Sequence, residues 1–104
     1  MNQADLNRLY DCEVIDRQGV KIGSLKQVWL DDRSGRPQWA SVHTGFLGLG
    51  EAFVPLRGAR VGSGMITVPV AKEQVADSPR LDVSDRHMSE EQQGRLAAHY
   101  GVPA

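Results

Sequence analysis

Apolar and polar residues alternate with a period of two over much of residues 12–70, which is typical of β-strands. In CEVID, for example, Cys12, Val14 and Asp16 fall on one face. Similar patterns follow at 20–30, in PQWASVHT at 37–44, in AFVPL at 52–56 and in MITVPV at 65–70. Turn sequences separate them, and none of the intervening stretches is long enough for a crossover helix. The pattern therefore predicts five to six short strands in an antiparallel meander, closed or half-closed into a small barrel.

The last third of the chain has a different pattern. Residues 71–87 are rich in charge and contain Pro79, and we interpret them as an extended strap. SEEQ at 89–92 is a capping box, so a short C-terminal helix is expected over about 90–100. We accordingly divide this single domain into a barrel at residues 9–72 and a strap and helix at residues 73–104.

The predicted C-terminal helix is too short to be stable alone. Leu96 and Tyr100 lie four residues apart on one face, and Gly101 suits a left-handed terminator. We therefore expect this helix to dock through Leu96 and Tyr100, either on its own barrel or on a partner.

Trp29 and Trp39 are predicted to face each other across a β-hairpin whose loop ends at a left-handed Gly35. Gln27 and Ser41 share their face, which is rather polar. The opposite face carries Val28, Ala40 and Val42 and is the predicted core side. The tryptophan pair therefore has two interpretations. It is either an interface hot spot or a cross-strand pair that stiffens the hairpin under the C-terminal segment.

The segment TGFLGLGEAFVPL at 44–56 places Phe46, Leu47 and Leu49 among three glycines. A phosphate-binding loop would lead into a helix and a GK[ST] motif, whereas this segment leads into another strand. Nucleotide binding is therefore not expected here. The glycines allow the apolar side chains either to fold over the barrel end as a plug or to form an exposed lip that binds a partner.

Taken together, these residues resemble a known family. The pattern Val14, Asp16, Gly19, Ile22 and Gly23, followed by VWLDD, PQWASVHTG and FLGLGEAFVPL, is similar to the PRC-barrel domain. The tail, VPVAKEQVADSPRLD and SEEQQGRLAAHYG, resembles a group of small stand-alone bacterial members, some of them associated with stress proteins. The resemblance implies a mainly β fold, a small antiparallel PRC-type barrel with a C-terminal helix, which serves as a protein-binding module.

Composition and charge exclude several other functions. The net charge is −1, with 12 basic and 13 acidic residues scattered along the chain, so nucleic acid is not an expected partner. Cys12 is the one cysteine, which fits a reducing cytoplasm. The first residues do not have the pattern of a signal peptide, and the longest apolar runs are far too short to span a membrane.

The polar residues do not form a recognisable catalytic or metal-binding pattern. His43, His87 and His99 lack the spacing of metal ligands. Asp16, Asp31 and Asp32 are better explained by turn chemistry than by calcium binding. We therefore expect no cofactor, no metal and no enzymatic activity.

These observations favour a cytoplasmic, non-enzymatic adaptor that binds a protein partner and self-associates, most simply as a homodimer. The candidate interaction residues are Trp29, Trp39, Phe46, Leu47, Leu49, Leu96 and Tyr100. The alternative function is a small-ligand carrier with a barrel mouth lined by Phe46, Phe53 and Trp29, although a barrel of this size leaves little interior.

Overall fold

A computed structural model of the protein describes residues 12–31, 33–45, 50–62, 64–79, 81 and 88–102. Within these residues it contains six strands and two helices. The strands are β1 (Glu13–Ile15), β2 (Lys21–Leu30), β3 (Pro37–Thr44), β4 (Gly50–Pro55), β5 (Arg60–Gly62) and β6 (Met65–Thr67). The helices are α1 (Lys72–Ala76) and α2 (Glu90–Tyr100). The mainly β fold and the C-terminal helix are therefore confirmed.

The six strands form one sheet in the order β4-β3-β2-β1-β6-β5. The β1–β2, β2–β3, β3–β4 and β5–β6 pairs are antiparallel, but β1 and β6 pair parallel, with Val14 opposite Ile66. In the described part of the chain, the ladders end at β4 and β5, and the sheet is open. The prediction of an all-antiparallel sheet is thus wrong. Of the two predicted forms of the barrel, closed and half-closed, the closed one is not formed in the described part of the chain. Short connections allowed the directions of neighbouring strands to be predicted from the sequence. Because β1 and β6 are separated by the other four strands, the sequence did not indicate whether they pair parallel or antiparallel.

The ladder between β1 and β2 contains a bulge next to Gly23. Val14 pairs with Gly23 and Ile15 pairs with Lys21, so Ile22 is an extra residue in β2. A side-chain Cβ at Gly23 would overlap the carbonyl oxygen of His43 in β3. Glycine is therefore required here because two backbones come very close.

The β2–β3 hairpin has the predicted pairing, with Trp29 directly opposite Trp39. Gly35 is left-handed, with φ of 71°. The face of Ala40 and Val42 is fully buried, as expected for the core. However, Trp29 and Trp39 are buried as well, because α2 packs on their side of the sheet. The sheet thus has apolar packing on both faces.

The α2 helix begins and ends as its sequence predicts. The Ser89 hydroxyl accepts a hydrogen bond from the Gln92 backbone N–H at 3.1 Å, and the Gln92 side-chain oxygen accepts one from the Ser89 N–H at 2.9 Å. Gly101 is left-handed, with φ of 67°. By contrast, the expected strap contains α1, a helix that we did not predict. Its N-cap residue, Ala71, provides no side-chain hydrogen bond, so a local start signal is missing.

Asp16 supplies the missing cap from a distant part of the sequence. Its carboxylate is buried and accepts hydrogen bonds from the backbone N–H groups of Gln18 and Val20 at 2.8 Å each. It also accepts one from the N–H of Lys72, the first residue of α1, at 3.0 Å. These hydrogen bonds, the Val20 one foremost, lower the pKa of Asp16. The interpretation of Asp16 as a turn residue is confirmed, and its contact with α1 adds a second role.

Candidate interaction surface

The central feature of the candidate surface is the sheet face that carries Trp29, Trp39, Ser41 and Phe53, here called the tryptophan face. The register places these residues side by side on β2, β3 and β4, with Ser41 opposite Phe53. The Trp29 and Phe53 rings lie 5.3 Å apart between centroids, in a tilted arrangement. Such aromatic pairs add to the stabilisation that comes from area burial alone.

The α2 helix covers the tryptophan face. Leu96 is completely buried and Tyr100 is 6% exposed, and the Tyr100 ring lies 6.2 Å from the Trp39 ring. The Tyr100 hydroxyl donates a hydrogen bond to the backbone carbonyl of Phe53 in β4. The predicted docking of α2 through Leu96 and Tyr100 therefore takes place within one chain, and Tyr100 fixes the helix to the edge strand of the sheet.

The environment of Tyr100 alters its acidity. Burial raises its pKa to about 12, because the phenolate would lose its hydration, and a hydrogen bond with the Ser78 side chain opposes this shift in part. The phenol therefore stays protonated and keeps its hydrogen bond to Phe53 at neutral pH.

His99 connects the two helices. Its ring nitrogen Nε2 lies 2.6 Å from the backbone oxygen of Gln74 in α1, and its ring packs edge-on against Tyr100 at 4.8 Å between centroids. In the sequence, His99 was considered only as one of three histidines that lack the spacing of metal ligands. The contact with Gln74 joins residues 25 positions apart, so a local pattern could not reveal it.

Three buried polar atoms on the tryptophan face have no hydrogen-bond partner among the described residues. They are Nε1 of Trp29, Nε1 of Trp39 and Oγ of Ser41. Leaving a buried polar atom unpaired costs about 1–3 kcal/mol relative to a paired one. These three atoms therefore reduce the stabilisation that burial of the tryptophan face provides.

The structure thus brings together four of the seven residues that the sequence singled out, but it buries them. Trp29 is 7% exposed and Trp39 is 1% exposed on the sheet, and Leu96 and Tyr100 are buried on α2. An interaction that uses these four residues requires α2 to leave the sheet. The other three residues, Phe46, Leu47 and Leu49, lie outside the described residues, so the choice between plug and lip stays a prediction.

A groove lies where that apolar segment leaves β3 and enters β4. It has a volume of about 310 Å³, and its walls include Ile22, Thr44, Gly50, Ala52 and Val75. The β2, β3 and β4 strands form one side, and α1 forms the other. The ligand site predicted from the sequence was a barrel mouth lined by Phe46, Phe53 and Trp29. Trp29 and Phe53 are not among the walls of this groove, and Phe46 lies outside the described residues.

A comparison with known protein families shows which family this chain belongs to. The model of the PRC-barrel domain matches residues 1–75. The chain belongs to the PRC-barrel domain family. A search of curated proteins finds no match.

The PRC-barrel match includes the strands that carry the tryptophan face but not the α2 helix that packs on it. The match includes all six strands and ends in α1 at residue 75, whereas α2 lies beyond it. The tryptophan face is therefore within the PRC-barrel region, and its cover is supplied by the part of the chain that follows.

Two further observations concern other classes of function in this PRC-barrel protein. The described residues contain no group of three or more His, Cys, Asp or Glu side chains that could hold a metal ion. Neither helix in the described part of the chain is long and apolar enough to cross a membrane.

Proposed function

We propose that this PRC-barrel protein is a non-enzymatic protein-interaction module of the bacterial cytoplasm that self-associates as a homodimer. The observations that support the proposal are the contacts of α2 with Trp39 and Phe53 of the tryptophan face, and three buried polar atoms of that face that have no hydrogen-bond partner among the described residues. The same face can receive α2 from a second copy of the chain. A link to stress responses rests only on the resemblance of the tail to stress-associated relatives.

Exchange of α2 between two copies would preserve every contact that the helix makes in one chain. Leu96, Tyr100 and His99 would meet the same residues of the partner copy, so the cost of exchange lies mainly in bringing two chains together. Residues 77–89 connect α1 to α2 and would act as the hinge. The apolar residues Phe46, Leu47 and Leu49 would add contact area, a role that we infer from their sequence alone.

Sedimentation velocity over a hundredfold concentration range tests self-association directly. We expect the wild-type protein to form a dimer and Leu96→Ser and Trp39→Ala to remain monomeric, because each removes buried contacts between α2 and the sheet. Ala98→Ser is the matched control, since Ala98 is an exposed position on the same helix. Circular dichroism verifies that each variant is folded. Wild-type mass in both core variants, or a wild-type monomer at every concentration, would contradict the proposal.

A second experiment separates exchange of α2 from other modes of dimerisation. Deleting residues 83–86 shortens the hinge and is expected to raise the dimer fraction, because a short connection disfavours closure within one chain. An equal insertion of glycine and serine is expected to lower it. A dimer fraction that does not respond to hinge length would indicate contact through another surface.

The groove of about 310 Å³ beside Ile22, Ala52 and Val75 favours one alternative function, a small-ligand carrier. Its volume is at the lower end of the range for small-molecule sites. Native mass spectrometry of the purified protein tests this function. A bound compound that is lost on Ala52→Trp substitution would support it, and a spectrum of the polypeptide alone would favour the interaction module.

A further inference from the structure

A second groove lies at the opposite end of the strands. It runs between the β2–β3 hairpin loop, with Arg36, Pro37 and Gln38 on one side, and the β4–β5 turn, with Leu56, Arg57 and Gly58 on the other. We call it the arginine groove. Its volume is about 540 Å³, and it does not include any of the predicted interaction residues.

Hydrogen bonds within each wall hold the arginine groove in shape. In the hairpin loop, the Asp31 N–H donates to the Arg36 carbonyl at 2.8 Å, and the Asp31 carboxylate accepts from the Ser34 N–H at 2.9 Å. In the other wall, the Leu56 N–H donates to the Gln38 carbonyl at 3.0 Å, which joins the two walls directly. The backbone that carries Arg36 and Arg57 is therefore pre-organised for a ligand, which reduces the entropy cost of binding.

The positive charges of the groove have no partners of their own in the described part of the chain. The ion pairs found there join lysines to glutamates, Lys21 to Glu13 and Lys26 to Glu51. Arg36 and Arg57 are exposed, and so are Arg33 in the same loop and Arg60 at the start of β5. Asp31 is the acidic residue among the described residues that line the groove, and its carboxylate already accepts a hydrogen bond within its own turn.

The chemistry of the walls selects a class of ligand. Every cation in or beside the groove is an arginine, whose planar guanidinium pairs with a carboxylate through two parallel hydrogen bonds. The Gln38 side chain offers both a donor and an acceptor, as a peptide group requires. The half-buried Pro37 ring adds an apolar contact. An acidic polypeptide segment can use the arginines, the Gln38 amide and the Pro37 ring together, whereas a lone anion can use only the arginines.

We propose that the arginine groove binds a short acidic segment of a partner protein, with carboxylates on Arg36 and Arg57 and a backbone amide on Gln38. This proposal rests on the interaction-module function and names the chemistry of its partner. None of the four residues of the tryptophan face lines the groove, so a PRC-barrel protein that self-associates through that face would keep the groove open for another chain.

Fluorescence anisotropy with the full-length protein tests the groove. The probe is a fluorescein-labelled peptide of alternating glutamate and alanine, and its neutral counterpart has glutamine in place of glutamate. We expect saturable binding of the acidic peptide alone. The double variant Arg36→Gln/Arg57→Gln should bind about tenfold more weakly, as expected when two charge-assisted contacts are lost. The charge-matched control is Arg17→Gln/Arg95→Gln, which removes two exposed arginines elsewhere and should bind like the wild type.

Three outcomes would overturn the proposal. The first is an absence of binding, and the second is an equal loss of affinity in both double variants, which would indicate attraction by overall charge. The third is complete displacement of the peptide by millimolar inorganic phosphate, which would make the groove a simple anion site. Sedimentation of Arg36→Gln/Arg57→Gln distinguishes this proposal from self-association, because the variant should keep the wild-type mass while losing the peptide.

Discussion

Asp16 shows how a single side chain can organise two parts of a chain. One carboxylate oxygen closes the β1–β2 turn, and the other caps α1, 56 residues further along. The turn was predictable, because aspartate followed by glycine three residues later is typical turn chemistry. The cap was not, because the sequence gives no sign of which distant N–H group will face the second oxygen.

Acid should destabilise the protein through Asp16. Its pKa in the folded state lies below the ordinary value of 3.8, so its stabilising effect is complete above about pH 4 and is lost as the pH falls further. The pKa of Asp31 is lowered as well, mainly by a hydrogen bond with the Ser34 side chain. We expect Asp16→Asn to lower Tm at neutral pH by about 5 °C. The additional decrease of Tm in acid should be smaller for this variant than for the wild type.

Thermal melts between about pH 6 and pH 2 measure this difference. Asp77→Asn serves as the control, because it removes an exposed aspartate and the same charge. If Tm fell as steeply in acid for Asp16→Asn as for Asp77→Asn, the carboxylate of Asp16 would not be the group responsible.

Two glycines should respond to alanine with opposite signs. Gly23→Ala places a methyl group against the His43 carbonyl oxygen, so β2 and β3 must move apart, and we expect a loss of about 3 kcal/mol or more. Gly94 lies inside α2 with no atom within 4 Å of an added Cβ. Gly94→Ala should therefore stabilise the protein by about 0.5–1 kcal/mol through helix propensity. Urea unfolding measures both effects, and a stable Gly23→Ala protein would show that the strands are not in such close contact.

At the level of secondary structure, elements with local signals were predicted and those without them were not. The capping box and Gly101 define α2, and Gly35 with its flanking residues defines the tryptophan register. By contrast, α1 has five residues and no local cap, so the sequence offered only a charged stretch. The tryptophan face looked polar because Gln27 and Ser41 belong to it, and its burial depends on where α2 docks.

The docking of α2 should be visible in the ionisation of Tyr100. Because its folded pKa is raised to about 12 against an ordinary value of 10, Tyr100 stabilises the fold fully below pH 10 and loses this effect as the pH rises further. A shift of this size corresponds to roughly 3 kcal/mol. Absorbance titration near 295 nm should show one of the two tyrosines ionising late, and Tyr100→Phe should remove that late step. A Tyr100→Phe protein that retains it would assign the shift to Tyr10.

At the level of the whole molecule, the core is continuous across the boundary of the family match. Leu96, Ala97 and Tyr100 belong to the same apolar cluster as Trp39 and Phe53. The alternating pattern predicted the strands, but the small antiparallel barrel that the PRC-barrel resemblance implied is an open, mixed sheet in the described part of the chain. The difference arises at β1 and β6, whose parallel pairing leaves β4 and β5 at the two edges.

Removal of α2 should therefore destabilise the entire fold. A chain ending at residue 88 lacks Leu96 and Tyr100, and burial of each large apolar side chain contributes about 1.5–3 kcal/mol. The loss is comparable to the net stability of a small domain, about 5–15 kcal/mol. We expect red-shifted tryptophan emission and loss of cooperative urea unfolding, both restored by a synthetic peptide of residues 86–104. Unfolding at the wild-type urea midpoint would show that the sheet is stable alone.

The parallel pair of β1 and β6 has a consequence for the order of folding. The β2–β3, β3–β4 and β5–β6 hairpins join residues that are close in sequence and can form early. Val14 and Ile66 are 52 positions apart (66 − 14), so β1 and β6 meet only after the chain closes a long loop. We expect this closure to be the rate-limiting event of refolding. After it, the four strands β1–β4 and the two strands β5 and β6 become a single cooperative unit.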